Sequence, residues 1–190
     1  MKILLISLAA CLLFTVGDIS MLNIKIGSPQ SGLKNIKLEE VAKDGGMVKY
    51  RTKNGNDFSI TAVDSKVAFM ENDWLQDASA KTSLLPGFTF GETSLKDIRK
   101  KFGTNGFSHT NMSGGATETH VIQFNCFEFD SPDNEVLVTI TKVALDSGAN
   151  EENISSLLKL DALIIADKAY LDEIWGSEKV YDPNYKKIKL

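Results

Sequence analysis

Alternating apolar and polar positions predict a three-stranded meander in the first half of the chain. Residues 47–52 and 57–63 are rich in β-forming types, and the second run places an apolar side chain at every other position. The pair Asn54-Gly55 separates the two runs and favours a tight hairpin, because both central positions of such a turn need a positive φ angle. A third β-rich run follows a second turn, so we predict an antiparallel meander over residues 47–70.

The next clear pattern is that of a short helix. An apolar stripe recurs at helical spacing, formed by Leu95, Ile98 and Phe102. Thr93 or Ser94 can cap the start of this helix, and Gly103 is a typical stop after the basic residues of its last turn. Strand-like runs then follow at residues 117–124, 126–130 and 135–143.

The C-terminal third has two interpretations. Alternation over residues 158–165 favours a strand, after which Asp167 can cap a helix over residues 168–175. The rival interpretation is one continuous helix over residues 153–175. Residues 185–190 alternate weakly and are predicted to form an edge strand.

Two short segments of the chain are similar to each other. Residues 31–36 and 93–98 share a Leu-Lys pair and a closing Ile at matching positions, and each segment precedes a series of β-rich runs. Such self-similarity indicates two related structural units. We therefore predict an α+β fold of two tandem units, 18–80 and 81–190, in which short helices pack on antiparallel β-sheet.

The segment from Gly91 to Gly103 resembles the start of β-lactamase-inhibitor-protein-like units. Each of those units begins with a glycine, a capping threonine and a short helix that ends in Leu-Gly, and small outer-membrane assembly lipoproteins share the pattern. Glu92 and Phe102 stand where that family usually has Met and Leu. The resemblance implies an exported protein that pairs helices with an antiparallel sheet and binds another protein. It supplies no catalytic residues.

The N-terminus has the pattern of a secretory signal peptide. Met1 and Lys2 precede an apolar run of about 12 residues, and small and polar residues end it. A membrane-spanning helix needs roughly 20 apolar residues, so the run is too short to cross a bilayer as a typical span. We predict a signal peptide over residues 1–17 and a mature protein that is periplasmic or secreted, with no membrane span.

Two other fates of the N-terminal segment remain open. The residues before Cys11 resemble the lipobox of bacterial lipoproteins, in which the cysteine becomes the lipid anchor. Retention of the uncleaved segment as an anchor is the third alternative.

Composition narrows the class of protein. An apolar content of 43% and a charged content of 24% are ordinary for a globular domain. The net charge of −4 argues against a nucleic-acid partner, because such proteins carry a basic footprint. Cleavage after the signal would leave Cys126 as the single cysteine, which excludes an intramolecular disulfide.

Candidate chemistry is sparse. Glu118 and His120 lie two apart on a predicted strand and share a face, and His109 on a nearby segment could join them in a metal or acid–base cluster. Cys126 lies in an apolar run, where a cysteine is usually an inert core residue. We therefore predict no catalytic residues, no metal site and no cofactor. The alternative is a small secreted hydrolase or metal-binding enzyme that uses Cys126 or Glu118 and His120.

Three aromatic residues flank the predicted junction between the units, namely Trp74, Phe88 and Phe90. Exposed aromatic side chains there would form a protein-binding surface, since such residues dominate interface hot spots. The alternative is that they hold the two units together. The functional prediction is an exported, non-enzymatic protein that binds a protein partner through these residues, as an inhibitor or an assembly module of the periplasm or cell envelope.

Overall fold

The computed structural model describes residues 19–131 and 134–189, and the predicted signal segment therefore lies outside the described residues. One antiparallel sheet dominates the fold. Its strands are ordered β1-β2-β3-β4-β9-β8-β7-β5-β10, and β6 pairs with β7 beside this path. In chain order the strands are β1 (Glu39–Asp44), β2 (Met47–Arg51), β3 (Asp57–Val63), β4 (Lys66–Asp73), β5 (Phe107–His109), β6 (Gly114–Ala116), β7 (His120–Glu128), β8 (Glu135–Ala144), β9 (Lys159–Asp167) and β10 (Lys179–Tyr181).

The helices are few and short. They are α1 (Leu95–Phe102), α2 (Ile154–Leu157) and α3 (Lys168–Trp175), with 3₁₀ turns at Gln30–Asn35 and Leu145–Ser147. In the part of the chain that the structure describes, no helix has the length and apolar content needed to cross a membrane.

The predicted meander is confirmed. β2 pairs with β3, and β3 pairs with β4, both antiparallel, with Val48 opposite Ile60 and Ile60 opposite Met70. Gly55 has a φ angle of 91° in the tight turn between β2 and β3, a conformation that glycine adopts without steric cost. Local alternation and turn chemistry were sufficient here because each strand pairs with its neighbour in the chain.

The predicted helix after residue 93 is confirmed as α1. Ser94 accepts a hydrogen bond from the backbone N–H of Asp97, and the Asp97 carboxylate accepts one from the backbone N–H of Ser94, which completes a capping box. Gly103 ends the helix with a φ angle of 61°. Leu95 and Ile98 are buried, so the apolar stripe faces the core.

The C-terminal third follows the strand-then-helix interpretation, and the single long helix is wrong. β9 pairs with β4 on one side and β8 on the other, so its backbone hydrogen bonds are taken by the sheet. Asp167 caps α3 by accepting a hydrogen bond from Tyr170 N at 2.9 Å. The edge strand predicted at 185–190 is also wrong, because the edge is β10, and Ile188 forms only a single bridge to Phe129.

The prediction of two tandem α+β units with helices packed on sheet is wrong. β4 and β9, from opposite halves of the chain, are adjacent strands of one sheet. One continuous hydrophobic cluster extends in sequence from Ile19 to Ile165. Residues 31–36 fall in a 3₁₀ turn without a side-chain cap, so the two similar segments form different structures. Alternation of apolar and polar residues specifies that a segment forms a strand, but it does not specify which strand pairs with it. The free edge of β4 is therefore paired with β9, which is distant in the sequence.

The sheet has two unlike sides. The core side carries Phe58, Met70 and Leu163 and is covered by the N-terminal segment, the loop after β4 and α1. The outer side has a smaller cluster, in which Leu171 of α3 packs with Cys126, Val138 and Ile164. On β2, β3 and β4 the outer side is instead polar, with Lys49, Arg51, Asp57, Ser59, Glu71 and Asp73 at consecutive outer positions.

Candidate functional site

A small cleft opens where β4 ends and β9 begins. Its volume is about 250 Å³. The lining combines one aromatic ring, three basic side chains and apolar walls, formed by Trp74, Gly91, His120, Lys142, Val143, Ala144, Leu157, Lys159 and Leu160. We call it the Trp74 cleft.

The Trp74 ring is held firmly at this cleft. It stacks on the buried ring of Phe90, with centroids 6.4 Å apart and planes inclined by only 5°. Its Nε1 donates a hydrogen bond to the carbonyl of Asp77 at 3.0 Å, and its backbone N–H donates to the carbonyl of Asp161, also at 3.0 Å. These contacts fix the side chain before any ligand arrives, so little entropy is lost when it is used in binding.

Gly91 makes room for this ring. Its φ angle is +69°, and a Cβ added there would lie 2.6 Å from Cη2 of Trp74. Its backbone N–H donates a hydrogen bond to Leu160 at 2.8 Å, so the backbone has no freedom to retreat. Any larger residue at this position would therefore push the indole out of place.

The basic side chains of the cleft come from three strands. Lys142 and Lys159 are directly opposite each other in the pairing of β8 with β9. Lys142 forms an ion pair with Asp161 at 2.6 Å. His120, at the start of β7, is within hydrogen-bonding distance of Thr119, with 2.8 Å between Nδ1 and Oγ1. With Lys142 paired to Asp161, Lys159 gives the cleft a local excess of positive charge on a chain whose net charge is −4.

The three aromatic residues predicted to bind a partner have different environments. Phe88 and Phe90 are buried in the core, at 4% and 0% exposure. Phe88 packs on Phe102 of α1 with centroids 5.9 Å apart, which fastens the loop to the helix. Trp74 is the member of the set that borders the cleft. A role in binding a partner stays a prediction, and of the three residues Trp74 is the one whose position beside the cleft suits that role.

The proposed cluster of Glu118, His120 and His109 is not assembled. His109 is buried on β5, where its Nδ1 lies 2.7 Å from the carbonyl of Gly176 and its Nε2 lies 3.9 Å from Asp172. His120 lies at the cleft, and Glu118 is in an exposed turn. Over residues 19–131 and 134–189, no group of three potential ligands is arranged to hold a metal.

Cys126 does not have the environment of a nucleophile. Its side chain is buried in β7, and burial raises the pKa of the thiol to about 12, despite the opposing charge of Lys179 and a hydrogen bond from the backbone of His109. The thiolate is the reactive form of cysteine, and it would be scarce at neutral pH. Cys126 is therefore a buried packing residue of the smaller hydrophobic cluster on the outer side of the sheet.

Glu128 forms a buried ionic cluster that the sequence analysis missed. The carboxylate is 2% exposed and is bound by Lys168 Nζ at 2.8 Å, Lys187 Nζ at 2.9 Å and Tyr185 Oη at 2.7 Å. Burial raises its pKa, but the hydrogen bonds outweigh burial and hold the pKa at about 2. The partners lie 40 or more residues away in the chain, so no local pattern signals the cluster.

A second pair of carboxyl groups lies on the polar part of the outer side. Glu71 and Asp73 are two apart on β4 and hydrogen bond to each other. Burial and the neighbouring Asp73 raise the pKa of Glu71 to about 7, and Lys49 opposes this only in part. Their spacing in a strand could have signalled a shared face, although not the degree of burial.

Comparison with known proteins adds little. No protein-family model matches the sequence, and no curated protein does. A 1.5 Å crystal structure of an extracellular protein containing an SCP domain, from Bacillus anthracis str. Ames, is similar with a TM-score of 0.41 and 14% identity. The alignment covers 92% of this chain and 56% of that one, so this chain spans little more than half of that protein. At this TM-score the similarity carries no argument about fold, location or activity.

Proposed function

We propose that this chain is an exported, non-enzymatic protein that binds another protein, and that the Trp74 cleft is its binding site. Export rests on the sequence pattern of residues 1–17. The observation that carries the binding proposal is the Trp74 ring, which is fixed by Phe90 and Asp77 at the mouth of a preformed cleft. Fixed aromatic side chains beside a pocket are typical of interface hot spots.

The size of the cleft favours a partner's side chain over a free organic ligand. Pockets for drug-sized molecules usually measure about 300–1,000 Å³, and the Trp74 cleft measures about 250 Å³. A single protruding side chain of a protein partner fits such a volume. The remaining affinity would come from the surface around the cleft.

The direct test is capture of a partner from an envelope extract by the exported protein. Wild type should enrich one or a few proteins, and Trp74→Ala should reduce their recovery at least tenfold. Val41→Ala is the control, because Val41 is an apolar side chain that is 40% exposed and lies on β1, three strands away from β4 and the cleft. Equal recovery by wild type and Trp74→Ala would exclude the cleft as the binding site.

A second pair of variants separates loss of the ring's position from loss of stability. Gly91→Ala drives a Cβ into the Trp74 ring, whereas Gly27→Ala meets no atom within 4 Å. Both glycines have a positive φ angle, of 69° and 79°, so both variants carry similar backbone strain. Partner recovery should fall for Gly91→Ala and persist for Gly27→Ala.

The route of export needs a separate measurement. Mass spectrometry of the exported protein should give an N-terminus at or near Asp18 after ordinary cleavage. A lipid-modified Cys11 at the N-terminus would instead establish an anchored lipoprotein. An intact Met1 would indicate retention of the N-terminal segment.

A further inference from the structure

The arrangement of charge in the Trp74 cleft is unusual for a strand pair. Lys142 and Lys159 are directly opposite each other across β8 and β9. Like charges at such positions destabilise a sheet. Lys142 is neutralised by Asp161 at 2.6 Å, whereas Lys159 forms no ion pair with any residue that the structure describes.

The distant charges around Lys159 do not replace an ion pair. Its ammonium group helps to lower the pKa of Asp97, but the hydrogen bonds from Ser94 are the larger cause of that lowering. Asp97 is already committed to the capping box of α1. One cationic group of the cleft is thus left without a matching anion among the described residues.

The walls of the cleft are suited to an aliphatic chain. Leu157, Leu160 and Val143 line it together with the Trp74 ring. A ligand that satisfies both features has a short apolar stem and a single negative charge. Among the parts of a protein partner, a glutamate side chain has this form.

We propose that the cleft receives a glutamate side chain of the partner, with the carboxylate paired to Lys159 and the methylene groups against Trp74 and Leu157. This inference rests on the proposed protein-binding function and specifies the chemistry of its anchor. A singly charged carboxylate balances the one unpaired lysine, whereas a more highly charged group would face the net negative charge of the chain.

Titration of the isotope-labelled protein with N-acetylglutamate N-methylamide tests the proposal. The two tryptophans give two indole N–H signals in a ¹⁵N–¹H spectrum, from Trp74 and Trp175. The Trp74 signal should shift saturably and the Trp175 signal should not. The uncharged N-acetylglutamine N-methylamide should shift neither signal at the same concentration.

Lys159→Gln should weaken binding of the glutamate compound at least fivefold. Lys53→Gln is the matched control, because Lys53 is an exposed lysine in the turn between β2 and β3. Raising the salt concentration from 50 to 500 mM should weaken binding to wild type more than to Lys159→Gln. Absence of a saturable Trp74 shift, or equal binding by Lys159→Gln and wild type, would overturn the proposal.

The partner-capture experiment, repeated with the lysine variants, distinguishes failure of the glutamate proposal from failure of the proposed protein-binding function. If Trp74→Ala loses the partner and Lys159→Gln retains it fully, the cleft binds a protein but not through a carboxylate on Lys159. If neither variant alters capture, the site itself is wrong. Loss of the partner in both variants, with retention in Lys53→Gln, supports both proposals.

Discussion

Two carboxyl sites on the outer side of the sheet have opposite properties. At the end covered by α3, Glu128 is bound by Lys168, Lys187 and Tyr185, and its pKa lies at about 2. On the polar strands, Glu71 is hydrogen bonded to another carboxyl, that of Asp73, and its pKa is raised to about 7. Glu128 is the more buried of the two and yet has the lower pKa, so burial alone does not explain the difference.

The number of lysine partners explains the difference between the pKa of Glu128 and that of Glu71. The chain returns over β7 twice, through α3 and through the C-terminal segment, and each return brings a lysine to Glu128. Over residues 19–131 and 134–189, the lysine that acts on Glu71 is Lys49 of β2, and no returning segment brings a second one. A buried carboxylate is stabilised only when hydrogen bonds and opposite charges compensate its lost hydration.

Removal of the Glu128 charge should have the largest effect on stability. Glu128→Gln leaves Lys168 and Lys187 without their carboxylate, and we expect a loss of about 2–3 kcal/mol at pH 7. That figure lies below the usual cost for fully buried pairs, because both lysines are partly exposed. Urea unfolding measures it, with the exposed Glu118→Gln as control.

The acid limb of the stability curve gives a further check on Glu128. Its pKa is depressed in the folded state, so its contribution is complete above the ordinary pKa of 4.5 and is lost as the pH falls towards 2. Wild type should lose stability over that range, and Glu128→Gln should lose less. Parallel curves for the two proteins would contradict the assigned network.

Truncation of Trp175 tests the cover over the same end of the sheet. The ring meets Phe124 and His109 edge to face, at 6.0 and 5.6 Å between centroids. It is only partly buried, so Trp175→Ala should cost about 2 kcal/mol, less than the roughly 3–5 kcal/mol of a core tryptophan. Ile174→Ala on the exposed face of α3 should cost under 0.5 kcal/mol. Equal midpoints for these two variants in thermal unfolding would refute the packing of α3.

Neutralisation of Glu71 should change the free energy of unfolding less than removal of the Glu128 charge does, and it should stabilise the protein rather than destabilise it. A raised folded pKa means that this carboxyl favours folding most below pH 4.5, and that stability falls as the pH rises towards and past 7. Glu71→Gln should be about 1 kcal/mol more stable than wild type at pH 8. The two proteins should be nearly equal below pH 4, where the carboxyl is protonated in both the folded and the unfolded state. Glu39→Gln, on the exposed strand β1, is the control, and a gain that does not depend on pH would count against the assignment.

The Cys126 thiol, at the end of the sheet that α3 covers, should react very slowly with thiol reagents in the native protein. Burial and a pKa near 12 make the native thiol unreactive, so labelling by a thiol reagent at pH 7.5 should proceed only through unfolding. The rate should rise at least a hundredfold in denaturing urea. Fast labelling of the native protein would revive the hydrolase alternative.

Elements that depend on interactions between residues close in the sequence were predicted correctly, whereas those that depend on contacts between distant segments were not. The meander over residues 47–70, α1 with its cap at Ser94, and the β9–α3 sequence all follow from alternation, capping and turn residues within one segment. The tandem arrangement failed because two similar hexapeptides suggested a repeat. The second segment has Ser94 and Asp97 to form a capping box, and the first has Gly32 and Asn35 at those positions.

The candidate site was only partly accessible to sequence reasoning. Trp74 stood out as an aromatic residue beside a junction, but nothing in the sequence indicated that Gly91 and Lys159 are its neighbours in the cleft. They meet because residues 91–95 hydrogen bond to residues 158–160 at the start of β9, a contact between distant segments. Phe88 and Phe90 belong to the same aromatic pattern, and only packing distinguishes their full burial from the partial burial of Trp74.

By itself the sequence determined the meander over residues 47–70 and the limits of α1, because these depend on dihedral preferences, caps and alternation among neighbours. The tertiary structure alone decided that β4 pairs with β9, that two lysines meet at Glu128 and that Trp74 borders a basic cleft. Strand edges and charged groups accept many partners of similar local energy. The choice among them is made by the burial of the whole hydrophobic cluster, to which every part of the chain contributes at once.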